Sequence, residues 1–306
     1  MLEQVKSFES NGSGNIKVRA FVGLIIGAAA IGTAPIFMRY AEVTPTSSAF
    51  WRLALSLPLL FMWRYYEIKK DGEKTLETRN FKSLKPFIIV GFFFAIDLTL
   101  WHWSVTLTTV ANSTLLANMA AVFTAIGGFL FFGERYSKTF IGGMFIALLG
   151  AMALMGHSFE FNPGNLIGDM LGLITAIAYA GYMIASASAR KSLSTASVML
   201  GTAVFASVFL LPIALYEAGD FMPTTLLGWW PLIALAWFTH VVGQGLIIYA
   251  LAHLPAAFGS VSLLVQPVIA AILAWILFAE ALGIYHFIGA TLIITGILTC
   301  KKGVGR

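Results

Sequence analysis

Two stretches of this chain repeat each other 146 residues apart, while the charges on their loops do not repeat. Pairing Trp101–Arg135 with Ile247–Ala281 sets Ala111 on Ala257, Val122 on Val268, Ala125 on Ala271, Ile126 on Ile272, Phe132 on Phe278 and Glu134 on Glu280. The register carries on to Gly143 with Gly289 and Gly150 with Gly296. The turn after Glu134 holds Arg135 and Lys138, whereas the turn after Glu280 holds no Lys or Arg. Matching turns of unlike charge predict two units inserted in a membrane in opposite senses, an arrangement used by transport folds.

The repeat sits in a chain built for lipid. Hydrophobic residues make up 58%, charged residues 11%, and mean hydropathy is +0.85, against about 45–50% and about 25% for the first two quantities in soluble domains. A spanning helix needs about 20 mainly apolar residues. Ten such runs are expected near 19–38, 45–65, 86–106, 109–132, 139–156, 165–188, 194–215, 226–251, 256–278 and 282–300. The reading is an all-α membrane protein of ten transmembrane helices in two inverted five-helix repeats, 19–156 and 157–300, between a polar segment 1–18 and a tail 301–306. The first run lacks a small-residue cleavage motif, so it is expected to stay as a helix. Seventeen of the 19 basic residues fall on the side of the termini, leaving Arg39 on the other face and Arg52 inside a span. By the positive-inside rule both termini are expected in the cytoplasm. The net charge of +5 follows from that topology and gives no support to nucleic-acid binding. The single cysteine, Cys300, cannot form an internal disulfide.

Polar groups inside spans are costly and point to function. Asp97, Trp101, His102, Trp103 and Ser104 crowd the third run, with Asp97 and Trp101 four apart on one helical face. Arg52 and Asp97 lie at depths that differ by about 3 Å at 1.5 Å per residue, so they are open either to a structural ion pair or to a coupling and substrate-gripping role. His240 and Gln244 share a face of the eighth run at the depth of Asp97, which register sets opposite Gly243. His102 and His240 are residues whose ordinary titration lies near neutral pH, and with Asp97 they are the coupling candidates. Asn118 and Gln266, two residues apart in register, are expected to share a pocket with Arg52 and Gln244. Trp101, Trp103, Tyr179 and Tyr182 would give it aromatic walls. The glycine pairs Gly23/Gly27 and Gly168/Gly172 are expected to serve close helix packing. Glu134, Glu280 and Asp169 sit at helix ends, where the dipole of a following or opening helix favours a carboxylate.

The run FLFFGERYSK ending at Lys138, followed by Ile141-Gly142-Gly143 and Gly150, resembles the signature of EamA-type members of the drug/metabolite transporter superfamily. Leu264 to Leu282, with Gln266-Pro267 and Glu280, resembles its second-repeat counterpart. The resemblance covers residues 20–300 and implies a ten-helix inner-membrane carrier, with YddG-type aromatic amino-acid exporters among the proteins the chain is similar to. Two departures stand out: Ala279 replaces the usual glycine, and Met119 stands where many members have proline, which argues against a family-like kink in the fourth helix.

The motifs of several enzyme classes are absent. No Gly-x-Ser-x-Gly, HExxH or phosphate-binding loop occurs, so ATP hydrolysis is not the power source and no cofactor is expected. An intramembrane aspartyl protease would need Gly-x-Gly-Asp, and the chain has Leu166-Ile167-Gly168-Asp169. The expected function is a secondary transporter of small amphipathic solutes, aromatic amino acids or related metabolites, most simply by export. Its partners are the solute, the bilayer and protons. Export of cationic aromatic drugs is the alternative, discriminated by whether Arg52 is free or locked to Asp97.

Overall fold

The computed structural model describes residues 2–71, 84–155, 162–278 and 282–304, and these form helices with no strand. The helices are α1 (Leu2–Gly32), α2 (Ala34–Arg39), α3 (Pro45–Ala54), α4 (Leu57–Asp71), α5 (Lys85–Leu107), α6 (Val110–Asn118), α7 (Ala120–Phe132), α8 (Lys138–Met155), α9 (Leu166–Ala189), α10 (Thr195–Tyr216), α11 (Trp229–Ala234), α12 (Gly245–Ala250), α13 (Ala256–Ser262), α14 (Val265–Phe278) and α15 (Ile284–Gly303). Between α11 and α12, residues Leu235–Gln244 are wound as a π-helix. Helix dominates because lipid offers no partner for a free backbone amide or carbonyl. Among the described residues nine runs are long and apolar enough to cross a membrane. The expected second span, 45–65, is the exception. It is divided into α3 and α4, and Thr46, Ser47, Ser48 and Arg52 lower its apolarity.

Proline explains three of the breaks. Pro35 opens α2, Pro58 opens α4 and Pro267 lies in the first turn of α14, and each lacks the N–H and crowds the carbonyl four residues back. The α6–α7 break has no proline. Met119 bends the chain by bonding its N–H to Leu116 O at 3.0 Å, a tighter i−3 link. A helix break is therefore present here despite the missing proline, within two residues of the register of the α13–α14 break at Leu263–Leu264.

Opposite insertion is visible in the packing of α8 on α15. A Cβ at Gly143 would meet Cys300 N at 2.6 Å and Gly296 O at 2.8 Å; at Gly150 it would meet Ile293 N at 2.6 Å and Gly289 O at 2.8 Å. Rising numbers on one helix meet falling numbers on the other, so the helices run antiparallel. Each glycine also touches the register equivalent of the other. Gly27 approaches Gly243 O, and Gly168 approaches the end of α5 at Leu107, which is the packing use expected of those pairs.

Gly133 ends α7 with φ +64°, its N–H bonded to Phe129 O while that of Glu134 reaches Gly128 O, a left-handed cap for which glycine is suited. Glu134 does not cap α8. Its Oε2 accepts from Tyr136 OH at 2.6 Å, and Ser137 Oγ accepts from Phe140 N instead; the tight turn folds the carboxylate back under Gly128. Glu280 lies outside the described residues. On the face away from the termini, Glu42 accepts from Thr225 N and from the hydroxyls of Thr224 and Thr225, at 2.8–3.1 Å. The Thr225 hydroxyl and N–H, more than Thr224, hold the Glu42 carboxyl below its ordinary range. Trp51 Nε1 donates to Phe221 O at 2.7 Å, so the 217–228 connection is strapped over the start of the second span.

Candidate functional site

A cavity of about 180 Å³ lies where the α1–α2, α6–α7 and α13–α14 breaks face α3, α5, α9 and the π-helix. Broken helices free backbone polar groups, and such irregularity at membrane depth is tolerated where it lines a cavity. The lining reaches Pro35 and Met38 near the end of α2, on the face opposite the termini. Tyr182, Met183, Phe258 and Val261, which neighbour lining residues on α9 and α13, are fully buried.

Of the residues singled out from sequence, Arg52, Asp97, Trp101, His102, Asn118, Tyr179, Gln244 and Gln266 line this cavity. They come from both repeats and from six separate segments. Tyr182 and His240 stand just beyond the lining. Tyr182 stacks on Phe94 at 4.5 Å and receives a hydrogen bond from Gln244 Nε2 at 2.8 Å, while His240 stacks on the same Phe94 at 5.8 Å. They form a buried aromatic floor under the cavity. His240 is fully buried and neither ring nitrogen has a hydrogen-bond partner.

Trp103 is a correction. It is 41% exposed and absent from the lining, because residues two apart on a helix point about 160° apart and Trp101 takes the inward direction. Its indole belongs to the lipid-facing surface.

Arg52 and Asp97 also depart from a simple pairing. Both are buried, at 8% and 7% exposure, yet no ion pair within 4.0 Å joins them, whereas Arg64 and Glu67 pair at 3.4 Å. Arg52 Nε has no hydrogen-bond partner, nor has Asn118 Nδ2. A guanidinium and a carboxyl group thus line one chamber without a salt bridge between them. Asp169 is engaged elsewhere: it accepts from Thr108 Oγ1 at 2.6 Å and from Asn112 Nδ2 at 3.1 Å, at the far end of α5, about 16 Å along the helix from Asp97 at 1.5 Å per residue. The two acids form no catalytic dyad.

Sequence reasoning missed Phe94, Ser48, Thr175 and Ser260, all of which line the cavity. Phe94 had a signal, because adding 146 gives His240. Thr175 also had one, four residues before Tyr179 on the glycine-bearing face of α9. Among the described residues no cluster of His, Cys, Asp and Glu could hold a metal ion.

Residues 18–156 and 166–300 match the EamA-like transporter family. An uncharacterised transporter of Bacillus subtilis, YetK, is 26% identical over 285 residues, covering 91% of this chain and 82% of the relative. An uncharacterised transporter of Archaeoglobus fulgidus is 26% identical over 276 residues, covering 85% and 89%. The pseudopaline exporter CntI of Pseudomonas aeruginosa is 22% identical over 219 residues, covering 71% and 75%. A solved crystal structure superposes with a TM-score of 0.78 at 16% identity, covering 96% of this chain and 99% of that one, a likeness of fold.

Proposed function

Because the chain belongs to the EamA-like transporter family, we propose that this membrane transporter is a secondary exporter of small amphipathic organic solutes, with aromatic amino acids or related metabolites first among them. The observation that carries the proposal is the cavity itself: a chamber at the broken helices of both repeats, with aromatic walls and a few convergent polar groups, as ligand sites have. Arg52, unlocked from Asp97, favours a solute bearing a carboxylate over a simple cation. The likeness to a relative named as an exporter supports the outward direction. Alternating access is the rocking of one repeat against the other about the shared chamber, opening it in turn to each face. The termini sit in the cytoplasm of a cell whose inner membrane holds the protein. Asp97, His102 and His240 are the buried groups that exchange protons with the gradient.

Flux of radiolabelled aromatic amino acids in proteoliposomes, with and without a pH gradient, tests this reading. Gradient-stimulated flux that Asp97→Asn abolishes is the expected result. Flux indifferent to the gradient in both proteins would remove proton coupling, and no flux of any aromatic amino acid would remove the solute class.

A further inference from the structure

The cavity carries a guanidinium and a carboxyl group, both buried and both lining the same space, with no salt bridge within 4.0 Å between them. A buried charge without a partner is unfavourable unless something in the site compensates it. An anionic solute on Arg52 would leave Asp97 uncompensated beside a new negative charge, and a cationic solute on Asp97 would leave Arg52 in the corresponding position. A solute with both charges at one end and an apolar body at the other satisfies the two walls together.

We propose that the chamber selects zwitterions, with Arg52 holding the solute carboxylate and Asp97 its ammonium. This deepens the transport reading and rests on it for the movement of the bound solute, though not for the recognition. The planar guanidinium suits a carboxylate because its donors form a fork matching the two oxygens. Asn118, whose buried Nδ2 has no partner, adds a neutral donor. Trp101, Tyr179 and Phe94 offer flat surface for the body of the solute, so an aromatic or bulky apolar group is accommodated. Asp97 is unprotonated while the ammonium occupies it.

Two trios of probes separate the charges at constant shape: L-phenylalanine, 3-phenylpropionate and 2-phenylethylamine; and L-leucine, 4-methylpentanoate and isoamylamine. Binding to the full chain in lipid nanodiscs is followed by tryptophan fluorescence, and flux is followed separately in proteoliposomes. In at least one trio the zwitterion is expected to bind at least about tenfold more tightly than either singly charged analogue, the size expected when a buried charge loses its partner. Arg52→Gln is expected to erase the preference over the amine while keeping that over the acid, and Asp97→Asn the reverse. These ratios within one variant do not depend on how much of it folds, and the wild-type ranking stands without any variant. Singly charged analogues binding as well as the zwitterion, variants that shift both preferences alike, or no binding in either trio would each overturn the assignment. Zwitterion binding without flux would leave recognition intact and remove the transport reading, whereas flux without charge selectivity would do the opposite.

Discussion

Adding one methyl group on either side of α8 should have opposite consequences one residue apart. Gly143 and Gly142 are neighbours, but a Cβ at Gly143 would sit 2.6 Å from Cys300 N and 2.8 Å from Gly296 O, whereas one at Gly142 would meet nothing within 4 Å. Ordinary contact begins at 3.4 Å, so Gly143→Ala must part the two backbones by up to 3.4 − 2.6 = 0.8 Å. A gap of about 0.5–1 Å forfeits roughly a quarter to a half of each van der Waals contact along the seam, and helix association in lipid depends on such contacts. The cost expected is about 1–3 kcal/mol, or a fall of roughly 2–12 °C in Tm at about 2–4 °C per kcal/mol. Gly142→Ala should be neutral or stabilising, by up to about 1 kcal/mol of helix propensity. The chain carries its own reporter. Cys300 is fully buried in this seam with its Sγ 3.2 Å from Phe140 O, so the rate at which a thiol-reactive dye labels it on heating tracks the parting of α8 from α15. Equal labelling curves for the two variants would refute the argument that backbone approach at Gly143 holds the repeats together.

Two further outcomes are expected. Trp101→Ala should cut flux of an aromatic solute by about tenfold, taking about 1–1.5 kcal/mol for a lost aromatic contact, while Trp103→Ala should leave flux unchanged because its ring faces lipid; equal losses would overturn the placement. The strap at Glu42 should make stability fall in acid. Its carboxyl is held low by Thr225, so the stabilisation is complete above the ordinary glutamate range of the unfolded chain and is lost as pH falls through the lower folded-state value. Glu42→Gln should flatten that acid limb of a thermal-stability profile against pH, and a profile unchanged by the substitution would deny the strap any such role.

Much of this architecture was legible because lipid makes exceptions conspicuous. Arg52, Asp97, Asn118 and Gln266 stood out as polar side chains in apolar runs, and the structure brings them to one chamber. Gly143, Gly150, Gly289 and Gly296 stood out by register, and their backbones meet. Direction around a helix was harder to read. Trp101 and Trp103 are alike in chemistry and depth, and only the helical turn separates the lining from the lipid face. Phe94, one of 25 phenylalanines, carries no signal of its own in an apolar run and is singled out only through the repeat register that pairs it with His240. The bend at Met119 and the π-winding at Leu235–Gln244 are set by neighbouring helices and by hydrogen-bond choices between carbonyls three, four or five residues away, which no single residue type announces. Position alone makes Glu134 a candidate cap, and the hydroxyl that claims it, Tyr136, lies within its own turn.

The seam of glycines also bears on descent. A contact in which Gly143 meets Gly296 and Gly150 meets Gly289 has the geometry of a two-fold homodimer, whose patch is its own partner. A five-helix ancestor inserted in both senses would make the same contact with an inverted copy of itself. Joining two copies end to end adds no new contact to that seam. It replaces an encounter between molecules by one within a chain, at a high effective concentration, and it fixes which copy points which way. Once each copy had a fixed sense, the two could diverge: where the first half has Asp97 the second has Gly243, and where the first has Phe94 the second has His240. Two identical half-pockets could thereby become a single chamber with unlike walls, able to tell one end of a molecule from the other.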